Sequence, residues 1–165
     1  MSTKTANASK DERAAILEHI QVVISATDLA QHFKHLKDIK HLAQHRSDYN
    51  SSDVSQRNLL TSLVTTASDL SGVVKPFPVD RSIAVHIYDE FFEQGDEEKR
   101  LGLIPQSMMD RNGAVPKEQL GFLDFVVKDV FVALTQFFPE AQPILSQLEI
   151  NRAAWDSDLK KAQQQ

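Results

Sequence analysis

Apolar residues recur every three to four positions along almost the whole of this chain, and nowhere do they settle into the two-residue alternation of a half-buried strand. That periodicity predicts an all-α fold. Ser9 with Glu12 three residues on has the signature of a capping box, in which each side chain satisfies an amide left open at a helix start. Ile16, Ile20, Val23, Ile24 and Leu29, continued by Leu36, Ile39 and Leu42, predict helix from about residue 10 to 45, bent near Thr27. RSDYNSSD breaks the pattern, and Ser52 or Asp53 caps the next helix, which Leu59, Leu60, Leu63, Val64 and Ala67 mark.

SGVVKPFP reads as a loop, because Gly72, Pro76 and Pro78 all punctuate regular structure. Ile83, Ala84, Ile87, Tyr88, Phe91 and Phe92 give the following helix its apolar face, with Gly95 closing it as a C-cap. The acidic run EQGDEEKR lacks the Asp/Asn spacing of a calcium loop and reads as a solvated turn. GLIPQSMMDRNGAVP is an irregular connection long enough to suggest a working role. Pro116 suits the first turn of a helix that runs to about Phe138, since its missing amide costs nothing there. Pro139 and Pro143 separate that helix from a last amphipathic one containing Leu145, Leu148 and Trp155.

With 165 residues, 41% of them hydrophobic and 25% charged, the chain can bury a real core as one domain over residues 9 to 165, after a frayed tail at 1 to 8. Its 18 basic and 23 acidic residues include no basic cluster, which argues against a nucleic-acid partner. The absence of cysteine excludes a disulfide framework and Cys-ligated zinc, and makes the cytoplasm the default compartment. FLDFVVKDVFVALTQFF is interrupted by Asp124, Lys128 and Asp129, so no membrane span is expected and a buried amphipathic helix is. No secretory leader is expected either, because no apolar run follows the first lysine.

HFKH at 32 to 35 and HLAQH at 41 to 45 have spacings that bring imidazoles together on a helix. The two pairs point to nearly opposite sides of a continuous helix and have no carboxylate placed as in HExxH, so both read as a solvated helix surface. On spacing alone Asp69 is an ordinary aspartate at a helix end. By the same reading Gln119 is an exposed amide near a helix start, and Ile87 and Phe122 are core.

ATDLAQHF, ASDLSG followed by KPFP, EFFEQGD, MMDR and QLGF come in this order, and NRAAW lies near the end. Together they resemble the carboxyl-terminal half of the class I 3',5'-cyclic nucleotide phosphodiesterase catalytic domain, and most of all its GAF-containing cGMP and dual-specificity subgroup. The likeness runs from roughly Asn7 to Lys160, with Phe77 where the family often carries Trp. It implies hydrolysis of cGMP or cAMP to the 5'-monophosphate, by two divalent ions, one zinc-like and one magnesium-like, that activate a bridging hydroxide. It implies that Asp69 ligates the tighter ion and that the Thr27 hydroxyl lies near the metal-bound waters. Gln119 would recognise the purine, because its amide offers both donors and acceptors. Phe122 and Ile87 would clamp the base, and Met108 and Met109 would wall one corner of the pocket.

The family's HNxxH and HDxxH segments, which carry most metal ligands and the histidine acid, do not occur in these residues. The expectation is a chain inactive by itself, holding neither ion tightly and self-associating through an apolar face the missing half would cover. The alternative is a non-catalytic nucleotide-binding or interaction fragment.

Overall fold

The computed structural model describes residues 8–164, and among them there are helices and turns but no strand. The expected frayed tail lies, for residues 1–7, outside the described residues. Two compact units divide after Asp69.

The first unit holds α1 (Lys10–Ala26), α2 (Leu29–Gln44) and α3 (Val54–Asp69). The capping box forms as expected. The Ser9 hydroxyl accepts from the Glu12 amide at 3.2 Å and the Glu12 carboxylate accepts from the Ser9 amide at 2.8 Å. These bonds hold the Glu12 carboxyl below its ordinary pKa. Asp53 is the cap of α3, its carboxylate accepting from the amides of Ser55 and Gln56.

The predicted helix from 10 to 45 is two helices, because Thr27 and Asp28 end one and begin the other. The Thr27 hydroxyl donates back to the Ile24 carbonyl at 2.8 Å. Asp28 takes an extended backbone, φ −82° and ψ 109°, and its carboxylate caps the Ala30 amide. The two short polar side chains thus satisfy backbone groups that a continuous helix would have paired internally. Both α1 and α2 pack on α3, around Ala26, Ile39, Ala43, Leu63 and Ala67. On α1, by contrast, Ile16, Leu17, Ile20 and Ile24 remain exposed, Leu17 at 65%.

The second unit begins with a 3-10 turn, Leu70–Val74, followed by α4 (Phe77–Arg100), α5 (Val115–Phe122), α6 (Lys128–Phe137) and α7 (Gln142–Ala162). The predicted SGVVKPFP loop is therefore shorter than expected, since Pro78 sits inside the first turn of α4, where a proline lacks nothing. Between α5 and α6 the chain stays helical through a π turn, Leu123–Val127. The insertion of that wider turn was invisible in the apolar period.

Two expectations for α4 are corrected. Gly95 is buried in its interior and is not a C-cap, and EQGDEEKR is helix, not a solvated turn. The run forms helix because its charges pair locally, Arg100 with Glu97 through two bonds and Gln94 with Glu98. The real stop lies at Gly102, whose φ of 77° suits glycine. Its amide reaches the Lys99 carbonyl and the Leu103 amide reaches Glu98, closing the end as a Schellman motif.

One face of α7 gathers the second unit. Trp155, 2% exposed, donates from Nε1 to Asp80 on α4 at 2.9 Å and takes the Phe77 ring edge-on at 5.4 Å. One turn earlier Asn151 donates to the carbonyls of Val73 and Lys75, at 2.8 and 2.7 Å, and accepts from Gln147. Its neighbour Arg152 makes a bidentate pair with Asp124 in the π turn, at 2.6 and 2.7 Å. That guanidinium holds the Asp124 carboxyl below its ordinary pKa. Leu123, Val127, Val130, Phe131 and Leu148 fill the core beneath.

Burial pushes the Asp80 carboxyl up from 3.8 to about 6, against the opposing hydrogen bond from Trp155. Between those two values the folded chain keeps a proton that the unfolded chain has released, so Asp80 adds stability at acid pH and that addition is lost as pH rises through about 6. Comparing wild type with Asp80→Asn should therefore show a melting-temperature difference that moves in favour of wild type as pH falls from 7 to 4. A pH-independent difference would contradict the assignment. Trp155→Phe, which leaves the buried carboxyl without its donor, should cost about 1–3 kcal/mol in urea unfolding at pH 7.

Candidate functional site

The residues expected to serve a metal lie in the first unit, at the ends of α1 and α3. Thr66, 1% exposed, has its hydroxyl within hydrogen-bonding distance of the Ala26 carbonyl, 2.8 Å, and the Ser62 carbonyl, 2.9 Å. A buried hydroxyl therefore ties the last turn of α3 to the end of α1. Thr27 is the next residue after Ala26, and Asp69 is three residues beyond Thr66, so both stand close in sequence to this tie. Asp69 is exposed and makes no hydrogen bond or ion pair among the described residues. Thr27 is exposed too, its hydroxyl hydrogen spent on Ile24.

Among the described residues no three His, Asp or Glu side chains come together as a group that could hold a metal ion. The side chains present therefore do not fit a two-ion centre, since a lone exposed carboxylate has too few donors to exclude water from an ion. Nor is α2 solvated along all its histidines. His32 is 3% exposed because it falls on the stripe with Ile39 and Ala43, seven and eleven residues on, that packs on the rest of the unit. His35, His41 and His45 are exposed. His32 and His35, with Asp38, Gln21, Asn58 and Ser62, line a cleft of about 730 Å³ among the three helices.

The residues expected to bind a base lie in the second unit. Gln119 is not the exposed amide its position suggests, being 5% exposed and the buried member of α5. Phe122 follows at the end of the same short helix, half-buried, and the π turn that starts with the next residue is held by the Asp124–Arg152 pair. On α4, Ile87 is 45% exposed, so the core expectation fails for it, while its neighbour Tyr88 is buried. Burial first, and the Glu118 carboxylate second, push the Tyr88 hydroxyl up to about 12.

Met108 and Met109 form a half-buried 3-10 turn against α4. The loop carrying them is fastened at three points. Lys99 pairs with Asp110 at 2.9 Å, holding that carboxyl below its ordinary pKa. Arg111 pairs with Asp96 and lies over the Phe92 ring. Between these, the Met109 backbone passes so near Gly95 that a Cβ there would sit 2.0 Å from the Met109 carbonyl oxygen. Gly95 is thus a close-approach glycine under the Met109 backbone, which helix-end reasoning misassigned. The usable signal was a glycine within a run rich in Glu, Gln, Lys and Arg, where a close backbone approach explains it better than a stop.

A family model described as 3'5'-cyclic nucleotide phosphodiesterase matches residues 2–148. The cone cGMP-specific 3',5'-cyclic phosphodiesterase subunit alpha' of Mus musculus is 35% identical over 163 residues, and the Bos taurus subunit of the same name is 33% identical over 163. Each alignment takes in 92% of this chain but only 19% of the relative.

Gly95→Ala should force the Met109 turn off α4 and destabilise the second unit by about 1–3 kcal/mol, as overpacking does. Chemical denaturation with Trp155 fluorescence reads this directly, and an unchanged midpoint would show that the approach is not tight.

Proposed function

The chain belongs to the 3',5'-cyclic nucleotide phosphodiesterase family, and on that premise we propose that it supplies the base-binding half of a centre that hydrolyses a cyclic nucleotide, cGMP foremost. The observation that carries this reading is Gln119. A buried amide on α5, three residues before a half-buried Phe122, offers both donor and acceptor to a purine edge beside a ring that can stack on it. Phe122 and Ile87 flank the base, and Met108 and Met109 close one corner on a loop held by the glycine contact and two ion pairs. The relatives' names, both cGMP-specific, favour guanine over adenine.

In this proposal Asp69 would give one carboxylate to the tighter of two divalent ions, with Thr27 near their waters, only once ligands from outside these residues complete the set. Such ions, if bound, would supply Lewis-acid activation of a water for attack on the phosphate. The histidine ligands and the proton for the leaving oxygen come from HNxxH and HDxxH segments beyond these 165 residues. The exposed Ile16, Leu17, Ile20 and Ile24 of α1 support that need, because a contiguous apolar stripe is what a packed neighbour would cover.

A second reading, a module that binds the nucleotide without hydrolysing it, draws on the same Gln119 and Phe122. One experiment separates the two. The purified chain, supplied with zinc and magnesium, should show no cGMP turnover, and adding a polypeptide that carries HNxxH and HDxxH should restore it. Gln119→Ala should then weaken cGMP by about tenfold or more, the loss expected for a buried hydrogen-bonding group. Turnover by the chain alone at the rate of intact family members would overturn the proposal, and saturable cGMP binding that no added segment converts to hydrolysis would favour the module.

A further inference from the structure

The end of α2 brings two exposed imidazoles together. His41 and His45 stack with ring centroids 4.3 Å apart and planes 27° from parallel. His45 Nδ1 lies 2.9 Å from the His41 carbonyl oxygen. A carbonyl can only accept, so Nδ1 carries the hydrogen and Nε2 keeps its lone pair facing outward. This is the arrangement metal-binding histidines adopt, in which one ring nitrogen is fixed by a backbone oxygen and the other is left basic and oriented. His41 has no such ring bond among the described residues, and a turn about Cβ–Cγ out of the stack would bring one of its nitrogens to the side of His45 Nε2. The carbonyl end of the helix adds partial negative charge at the same place.

We propose that His41 and His45 form a two-imidazole clamp for a borderline divalent transition ion of the nickel, copper and zinc group. Nitrogen donors select these ions over magnesium, calcium and manganese, which prefer oxygen, and at equal geometry copper and nickel bind more tightly than manganese. No third His, Asp or Glu joins the pair among the described residues, so water completes the shell. His32 and His35, though similarly spaced, cannot do the same, because His32 is turned into the unit with 3% exposure. His45 is the C-cap residue of α2, outside the helix proper, so an ion shared with His41 would staple the last turn to its cap. Occupancy should therefore stiffen the first unit and raise its melting temperature.

Titrating the whole chain with nickel chloride by calorimetry should give one ion per chain. His41→Ala and His45→Ala should each weaken it by about a hundredfold, the loss expected when a two-armed attachment becomes one-armed. His19→Ala and His86→Ala should leave it unchanged. Copper(II) in the same chain should show two nitrogen ligands by electron paramagnetic resonance, falling to one in either variant. Circular dichroism verifies that the variants keep their helix, and His41→Gln replaces the alanine variant should it not. Wild-type nickel affinity in the His41 and His45 variants, or a copper spectrum with a single nitrogen in the parent chain, would overturn the clamp.

Discussion

The buried hydrogen bond from Trp155 to Asp80 is the constraint on which the second unit depends. A carboxyl at 1% exposure is tolerable only where a donor meets it, and the indole supplies that donor while filling the space beside Phe77. Along the same helix Asn151 holds the carbonyls that precede α4, and Arg152 holds the π turn that comes after Phe122. Three neighbouring residues of α7 therefore fix where α4 begins and where α5 ends. Those are the two helices that carry Ile87, Gln119 and Phe122.

The first unit solves a similar problem with hydroxyls. Thr27 and Asp28 divide one apolar run into two helices by feeding their side chains to the backbone, and Thr66 bonds the end of the first helix from within α3. The ATDL segment thus has a structural task independent of any metal. Residues that satisfy backbone at a helix break also stand at a surface, and this leaves Thr27 exposed there.

Much of the architecture was legible in the chain. Each helix arises from apolar period and each principal start from a cap or a proline, because those signals act over one or two turns. The misreadings share one cause. Gly95, His32 and Gln119 were judged by their neighbours in sequence, yet each is decided by what another segment places against it. For Gly95 that is the Met109 carbonyl, and for His32 and Gln119 it is the helices that bury them. The π turn at Leu123–Val127 escaped notice for the same reason, since it is held by an ion pair to a residue 28 positions away.

The sequence by itself determined that the chain is helical and that its motifs fall in the order of a cyclic nucleotide phosphodiesterase. Periodicity, capping and motif order are local or one-dimensional properties, and no folding is needed to read them. Only the tertiary structure decided that Gln119 is buried, that Gly95 sits under the methionine loop, that NRAAW is the fastening of the second unit, and that two of six histidines meet face to face. Burial and long-range pairing depend on which segments approach in space, and residue spacing carries no record of that.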